Sequence, residues 1–154
     1  MARYVELQVT SHFSFLRGAS SPEELFSAAA LLGHQALGLA DWGSVAGVVR
    51  GWAGQKATGV RMIAGARVDL SDGRALLLYP TDRAAWSQLT RLLSVGKARG
   101  GKGCCLLEWA DVAHHAEGLI AILLPDMADS ATLANLAELR QVFGDRAYMA
   151  LSLR

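Results

Sequence analysis

Cysteine is almost missing from this chain of 154 residues: Cys104 and Cys105 are the only two, and they are neighbours. Adjacent cysteines cannot staple distant segments, so a disulfide framework is excluded. A surplus of one charge sign is missing too, with 15 Lys plus Arg against 14 Asp plus Glu and a formal net charge of +1. That balance excludes a protein that holds nucleic acid by bulk charge alone. Long apolar runs are lacking as well. The longest aliphatic stretch, Leu119 to Leu124, is far shorter than the roughly 20 apolar residues of a membrane-spanning helix. Glu6 and Gln8 interrupt the first apolar positions, so no signal peptide is expected. What the chain has in quantity is apolar residue: 52% hydrophobic against 19% charged. A disordered tail is excluded, and one domain of roughly 100–200 residues with a real core is the natural expectation. These features together predict a soluble, cytoplasmic chain in a reducing compartment, with no membrane partner.

Catalytic signatures are also sparse. There is no His-x-His pair, no H-E-x-x-H, no G-x-S-x-G elbow, no Walker loop and no Asp-x-Asp. Two-metal phosphoryl transfer needs clustered carboxylates, which this chain does not supply by itself.

The apolar pattern predicts strands alternating with helices. Tyr4–Val9 alternates as a short strand, followed by the polar-aromatic loop Ser11-His12-Phe13-Ser14-Phe15. Ser21, Pro22 and Glu24 form a capping box that opens a helix closed by Gly33. Ala36–Ala40 is a strand ended by Asp41, and Ser44 is the expected cap of a second helix running to Thr58 and Gly59. Met62–Leu70 and Arg74–Tyr79 read as a hairpin turning at Ser71-Asp72-Gly73. Asp82 caps a helix carrying Trp86, Leu89, Leu92 and Leu93, and a Gly-rich basic loop spans Lys97 to Gly103. A short helix at Glu108–His115, a strand at Leu119–Leu124, a helix at Asp129–Phe143 and a strand at Ala147–Leu153 complete the series. The expected class is α/β with mostly parallel strands and right-handed crossovers. A closed α/β barrel needs about 250 residues. The chain therefore reads as a single domain segment over 1–154, incomplete at its C-terminal end.

In such architectures chemistry gathers where strand ends meet loops. Those positions are Gln8 and Thr10 after the first strand, Asp41 and Trp42 after the second, and Arg67 in the third. Asp41 alone is a competent metal ligand; Gln8 and Thr10 are weak neutral donors, Trp42 cannot ligate, and Arg67 repels a cation. His12 is close enough in sequence to reach the mouth of strand one. Asp111 and His114, three residues apart, can meet on one helix face. From Arg83 to Leu107 there are five basic residues and no acidic one. Lys97, Arg99 and Lys102 within that stretch are the candidate contacts to phosphate or an acidic partner. The same cations would lower the pKa of a thiol at Cys104 or Cys105, although packing is the simpler role for both.

The stretch Tyr4-Val5-Glu6-Leu7-Gln8-Val9-Thr10-Ser11-His12-Phe13-Ser14-Phe15-Leu16, with Gly18-Ala19-Ser20 after it, resembles the opening of bacterial C-family DNA polymerases. The resemblance is to the error-prone branch, related to the polymerase III alpha subunit. Pro22-Glu23-Glu24-Leu25, Ser44 to Arg50, Tyr79 to Ala85, Gly96-Lys97 and Phe143 to Arg146 extend it along nearly the whole chain. It implies a PHP (polymerase and histidinol phosphatase) domain, a distorted seven-stranded βα barrel, here in part. Metal-binding PHP domains carry His-x-His after strand one, Asp-His after strand two and Glu in strand three. The matching positions here are Gln8 and Thr10, Asp41 and Trp42, and Arg67, a degenerate metal site with one ligand type left.

The resemblance implies a non-catalytic scaffold within a DNA-directed DNA polymerase of damage-tolerant, translesion replication and repair. Its partners would be the remainder of the polymerase chain, DNA through that parent, and other translesion-synthesis proteins, with no cofactor of its own. Two alternatives stand beside it: a reduced metal-dependent phosphoesterase using Asp41 with His12, and a small nucleic-acid-binding module using residues 97–102. With the metal gone, Arg67 is the expected counter-charge for Asp41. In that case Arg67→Glu destabilises the domain by about 3–5 kcal/mol.

Overall fold

The computed structural model describes residues 4–151. The chain divides into two compact units, Met1–Ala66 and Arg67–Arg154.

In the first unit, β1 (Glu6–Val9), α1 (Pro22–Leu31), β2 (Ala36–Trp42) and α2 (Val48–Thr58) lead into β3 (Arg61–Asp69). β1 and β2 pair in parallel, Glu6 beside Leu37 and Val9 beside Leu39. Three steps along β1 thus meet two along β2, a local bulge that increases twist at the end of β1. α1 begins as the sequence predicts. The Ser21 hydroxyl accepts from the Glu24 N–H at 3.2 Å, and the Glu24 carboxylate accepts from the Ser21 N–H at 2.7 Å. Phe26 on α1 is fully buried and joins Ala29, Leu37 and Val60 in the core, with Val9, Leu25 and Met62 against it. Burying a side chain of that size contributes about 1.5–3 kcal/mol. The contact depends on α2 being bare where Phe26 sits: a methyl at Gly54 would lie 3.0 Å from the Phe26 Cβ.

α2 departs from expectation at its start. The Ser44 hydroxyl accepts from the Ala46 N–H at 3.0 Å, which holds a turn rather than capping a helix. The helix opens three residues later with Gly47 at the cap position and no side-chain bond there. Its end is as expected, at Gly59 in a left-handed conformation.

In the second unit β3 ends and turns into β4 (Ala75–Pro80), followed by α3 (Arg83–Gly100), α4 (Trp109–His114), β5 (Leu119–Leu123), α5 (Ser130–Phe143) and β6 (Ala147–Met149). The hairpin turn is closed by Leu70 N–H to Arg74 O at 2.7 Å and Gly73 N–H to Leu70 O at 3.0 Å, with Gly73 at φ 90°. β5 and β6 are parallel, but β4 and β5 are antiparallel, Leu76 beside Leu123 and Pro80 beside Leu119. The expected run of parallel crossovers is therefore broken here. The connection carries two helical pieces rather than one. α3 leads away from the end of β4 for about 27 Å at 1.5 Å per residue. Residues 101–118 then return to that same end, where the Thr81 N–H meets Gly118 O at 3.1 Å. The sheet is mixed, with neighbouring strands in the order β1-β2-β3-β4-β5-β6. Six strands lie among the described residues, against seven implied for a complete barrel.

Two further boundaries move. Lys97 to Gly100, expected in a loop, are the last turn of α3. β6 covers only Ala147–Met149, and the expected end of that strand at residues 152–153 lies outside the described residues. No helix among the described residues is long and apolar enough to cross a membrane.

Candidate functional site

The loop after β1 folds back on itself. His12 N–H donates to Ser20 O at 2.9 Å, Ser14 N–H to Ser11 O at 3.0 Å, and Gly18 N–H to Ser14 O at 3.0 Å. Gly18 passes so close that a Cβ there would stand 2.2 Å from the Ser11 carbonyl oxygen. This compaction aims two hydroxyls at the end of β2.

Asp41 lies at that end, 1% exposed. Its Oδ1 accepts from the Ser11 N–H at 2.9 Å, the Ser11 hydroxyl at 2.9 Å and the Ser14 hydroxyl at 2.7 Å. The Ser11 hydroxyl is also 2.9 Å from Oδ2. Ser14 Oγ in turn accepts from the Trp42 N–H at 3.0 Å, and Ser11 Oγ accepts from the Phe13 N–H at 3.2 Å. Gly47 walls the other side, where an added Cβ would come within 2.4 Å of Oδ2. A buried carboxylate is expensive unless hydrogen bonds replace its water, and here three donors do so. Arg17 stacks its guanidinium 3.7 Å above the Trp42 ring, a cation–π contact. Leu16 beside it holds φ 61°, a conformation that ordinarily belongs to glycine or asparagine.

The other expected positions fall as follows. Gln8 is exposed on β1, Thr10 is half-buried just beyond it, and Trp42 is half-buried at the end of β2. Arg67 lies on β3 in the second unit, with its Nε 3.0 Å from Asp69 Oδ1 on the same strand. The partners of Asp41 and Arg67 just named each lie within their own unit. His12 is half-buried and tilted against Phe13, ring centroids 4.7 Å apart. Among the described residues, no group of three or more His, Cys, Asp or Glu is placed to hold a metal ion. Ser11 and Ser14 are the residues that sequence reasoning missed. Their only signal was a three-residue spacing in a polar loop.

The basic segment is differently built from the expected loop. Arg99 forms a two-pronged pair with Asp111, Nη1 to Oδ2 at 2.5 Å and Nη2 to Oδ1 at 3.0 Å. That guanidinium holds the Asp111 carboxyl below its ordinary range. The same carboxylate accepts from the Glu108 N–H, capping α4. Asp111 is thus engaged with Arg99 and α4 rather than with His114, whose ring stands 4.9 Å from that of His115. Lys97 and Lys102 are exposed. The Cys105 sulfur rests on α3 where a Gly96 side chain would be, at 2.6 Å from that Cβ position. Burial pushes its thiol pKa up despite nearby Lys97, so Cys105 is a packing residue and not an activated thiol.

A second polar centre was not anticipated. Arg74, with a side chain only 12% exposed, meets Asp72 through Nη2 at 2.6 Å and Glu138 through Nη1 at 2.5 Å. Its guanidinium also lies 4.4 Å from the centre of the Trp109 ring. One cation thereby joins the hairpin turn, α4 and α5.

Over 152 residues, 99% of this chain, it is 58% identical to Error-prone DNA polymerase 2 of Rhizobium meliloti strain 1021. It is 54% identical to Error-prone DNA polymerase 2 of Agrobacterium fabrum strain C58 over 98% of its length. The chain spans only 14% of either relative. Among solved structures it superposes on an amidohydrolase from Chromobacterium violaceum with a TM-score of 0.58 at 18% identity. That match covers 93% of this chain and 75% of the other, and supports the fold alone. The profile of the PHP domain matches residues 6–151. The chain belongs to the PHP domain family, in the form carried by bacterial error-prone DNA polymerases.

Proposed function

We propose that this chain is a non-catalytic PHP scaffold and interaction module of an error-prone DNA polymerase. The single observation that carries the reading is the state of Asp41. It is the one carboxylate among the five positions that face the site in metal-binding relatives, and its oxygens are already engaged by Ser11 and Ser14. A divalent cation needs several anionic or imidazole ligands with free lone pairs. Gln8, Thr10, Trp42 and the cationic Arg67 do not supply them, so the residues present do not fit a metal. In this reading the chain needs no cofactor of its own. It would work in the cytoplasm as part of a polymerase that performs DNA-directed synthesis across damaged templates and in repair. Its partners would be the remainder of that polymerase, DNA through it, and other translesion-synthesis proteins.

The test is the metal content of the purified chain after incubation with zinc and manganese. Less than about a tenth of an equivalent is expected, since affinity follows ligand number and deprotonation. One equivalent or more, lost in Asp41→Ala, would overturn the scaffold reading in favour of a reduced phosphoesterase built on Asp41.

A further inference from the structure

α3 separates its residues sharply by face. At about 100° per residue, Ala85, Leu89, Leu92, Leu93 and Gly96 fall on one side, and all are buried. Arg83, Arg91 and Lys97 fall within a sector of about 120° on the opposite side, and all three are exposed. Lys102 follows just beyond the end of the helix, also exposed. Between Arg83 and Leu107 there is no acidic residue. The one cation of this stretch that lies off the stripe, Arg99, is neutralised by Asp111. Among the described residues, no carboxylate pairs with Arg83, Arg91, Lys97 or Lys102. Ser87 and Ser94 occupy the same exposed side and bond back to the helix carbonyls of Arg83 and Thr90. The face therefore presents neither a large apolar group nor a negative charge.

We propose that this outer face of α3 in the second unit is a sequence-independent contact surface for the phosphate backbone of duplex DNA. Arg83 to Lys97 covers about 21 Å of helix, and duplex DNA carries one charge per roughly 1.7 Å of axis. Three to four lysines and arginines strung over that distance match a phosphate row and add no base readout. A single-stranded ligand would call for aromatic stacking platforms, and the stripe carries none. The near-neutral total charge limits the strength of the contact: a dissociation constant on the order of 10⁻⁵ M at low salt is expected. A contact of that strength becomes useful as one attachment among several on a longer chain.

The experiment is fluorescence anisotropy of a labelled random-sequence duplex titrated with the 154-residue chain over a range of salt. The logarithm of affinity should fall with the logarithm of salt with a slope of about −3. Arg91→Glu with Lys97→Glu should weaken binding at least about tenfold and bring the slope towards −1. A control with the same change in net charge, Arg61→Glu with Arg140→Glu, places its charges on other exposed positions and should cost far less. Should the first pair fail to fold by circular dichroism, Arg91→Gln with Lys97→Gln takes its place and should still weaken binding and flatten the slope. Equal losses in the stripe and control variants would overturn the proposal. So would absence of binding at low salt, or equal affinity for a polyglutamate peptide, which would make the face a surface for acidic proteins.

Discussion

The two units bury charge in opposite ways. In the first, Asp41 is enclosed by neutral donors, the hydroxyls of Ser11 and Ser14 and one backbone N–H. In the second, Arg74 is enclosed by two carboxylates and an indole ring. Hydroxyl donors bring no counter-charge of their own, so these bonds to Asp41 depend on short, fixed geometry and little on screening. The Arg74 arrangement depends on opposite charges at partly exposed positions, so salt and acid both reach it. One is a lock of shape and the other a lock of charge.

The largest effect should come from removing the geometry of the first. Gly18→Ala sets a Cβ 2.2 Å from a backbone oxygen that no side-chain rotation can clear. A loss of about 3 kcal/mol or more is expected in chemical denaturation. A change below about 1 kcal/mol would mean that the loop is not held as described. Next, Ser14→Ala withdraws one donor from Asp41 and the acceptor of the Trp42 N–H. About 1–3 kcal/mol should be lost, with the same loss at low and high salt. A strong salt dependence of that difference would erase the contrast between the two units.

Arg74→Met tests the other side. It keeps most of the apolar stem but leaves Asp72 and Glu138 without their cation, and about 1–2 kcal/mol should be lost at low salt. The difference should shrink as salt rises. Amide hydrogen exchange would place the effect in the hairpin turn and α5, and exchange unchanged in both would refute the assignment. The smallest effect is on pH. The guanidinium of Arg74 holds Asp72 below its ordinary range, and that of Arg99 does the same for Asp111. Groups with depressed folded values contribute stability above about pH 4 that fades as the pH falls through those values. Arg99→Gln should slightly flatten this acid dependence, exposed pairs being weak. An unaltered stability curve below pH 4 would show that the pair contributes nothing.

How much of this was legible depended on how far each cause lies from its effect in sequence. The Ser21–Glu24 capping box and the Asp82 cap are local, and each was found at its place. Asp41 was identified as the one ligand-type residue, but its partners lie 30 and 27 residues away. Periodicity has no means of pairing a serine with an aspartate across that distance. Ser44 misled because a serine hydroxyl can close a turn as readily as it caps a helix. The glycines at 100, 101 and 103 argued for a loop, yet Gly100 is helical, as Gly96 is before it. They are small because Cys105 and Leu107 press on α3 at Gly96, and the Cys104 Cβ with the backbone nitrogens of Cys105 and Leu106 presses at Gly100. Tertiary contact overrode intrinsic propensity there. The antiparallel turn of β5 was likewise invisible, since it depends on the return path of a connection and not on any residue in the strand.

Those helical glycines have a consequence for anyone who would engineer the domain. Exchanging glycine for alanine inside helices is a routine route to thermostability, gaining about 1 kcal/mol per site where space allows. Here the recipe would run backwards. Alanine at position 54 would push into Phe26, and at position 96 into Cys105 and Leu107. A consensus-driven redesign that scored each helix by itself would thus soften both units at once. A stabilised version has to be sought at exposed positions such as Ser27 or Ser94, where the helices face water.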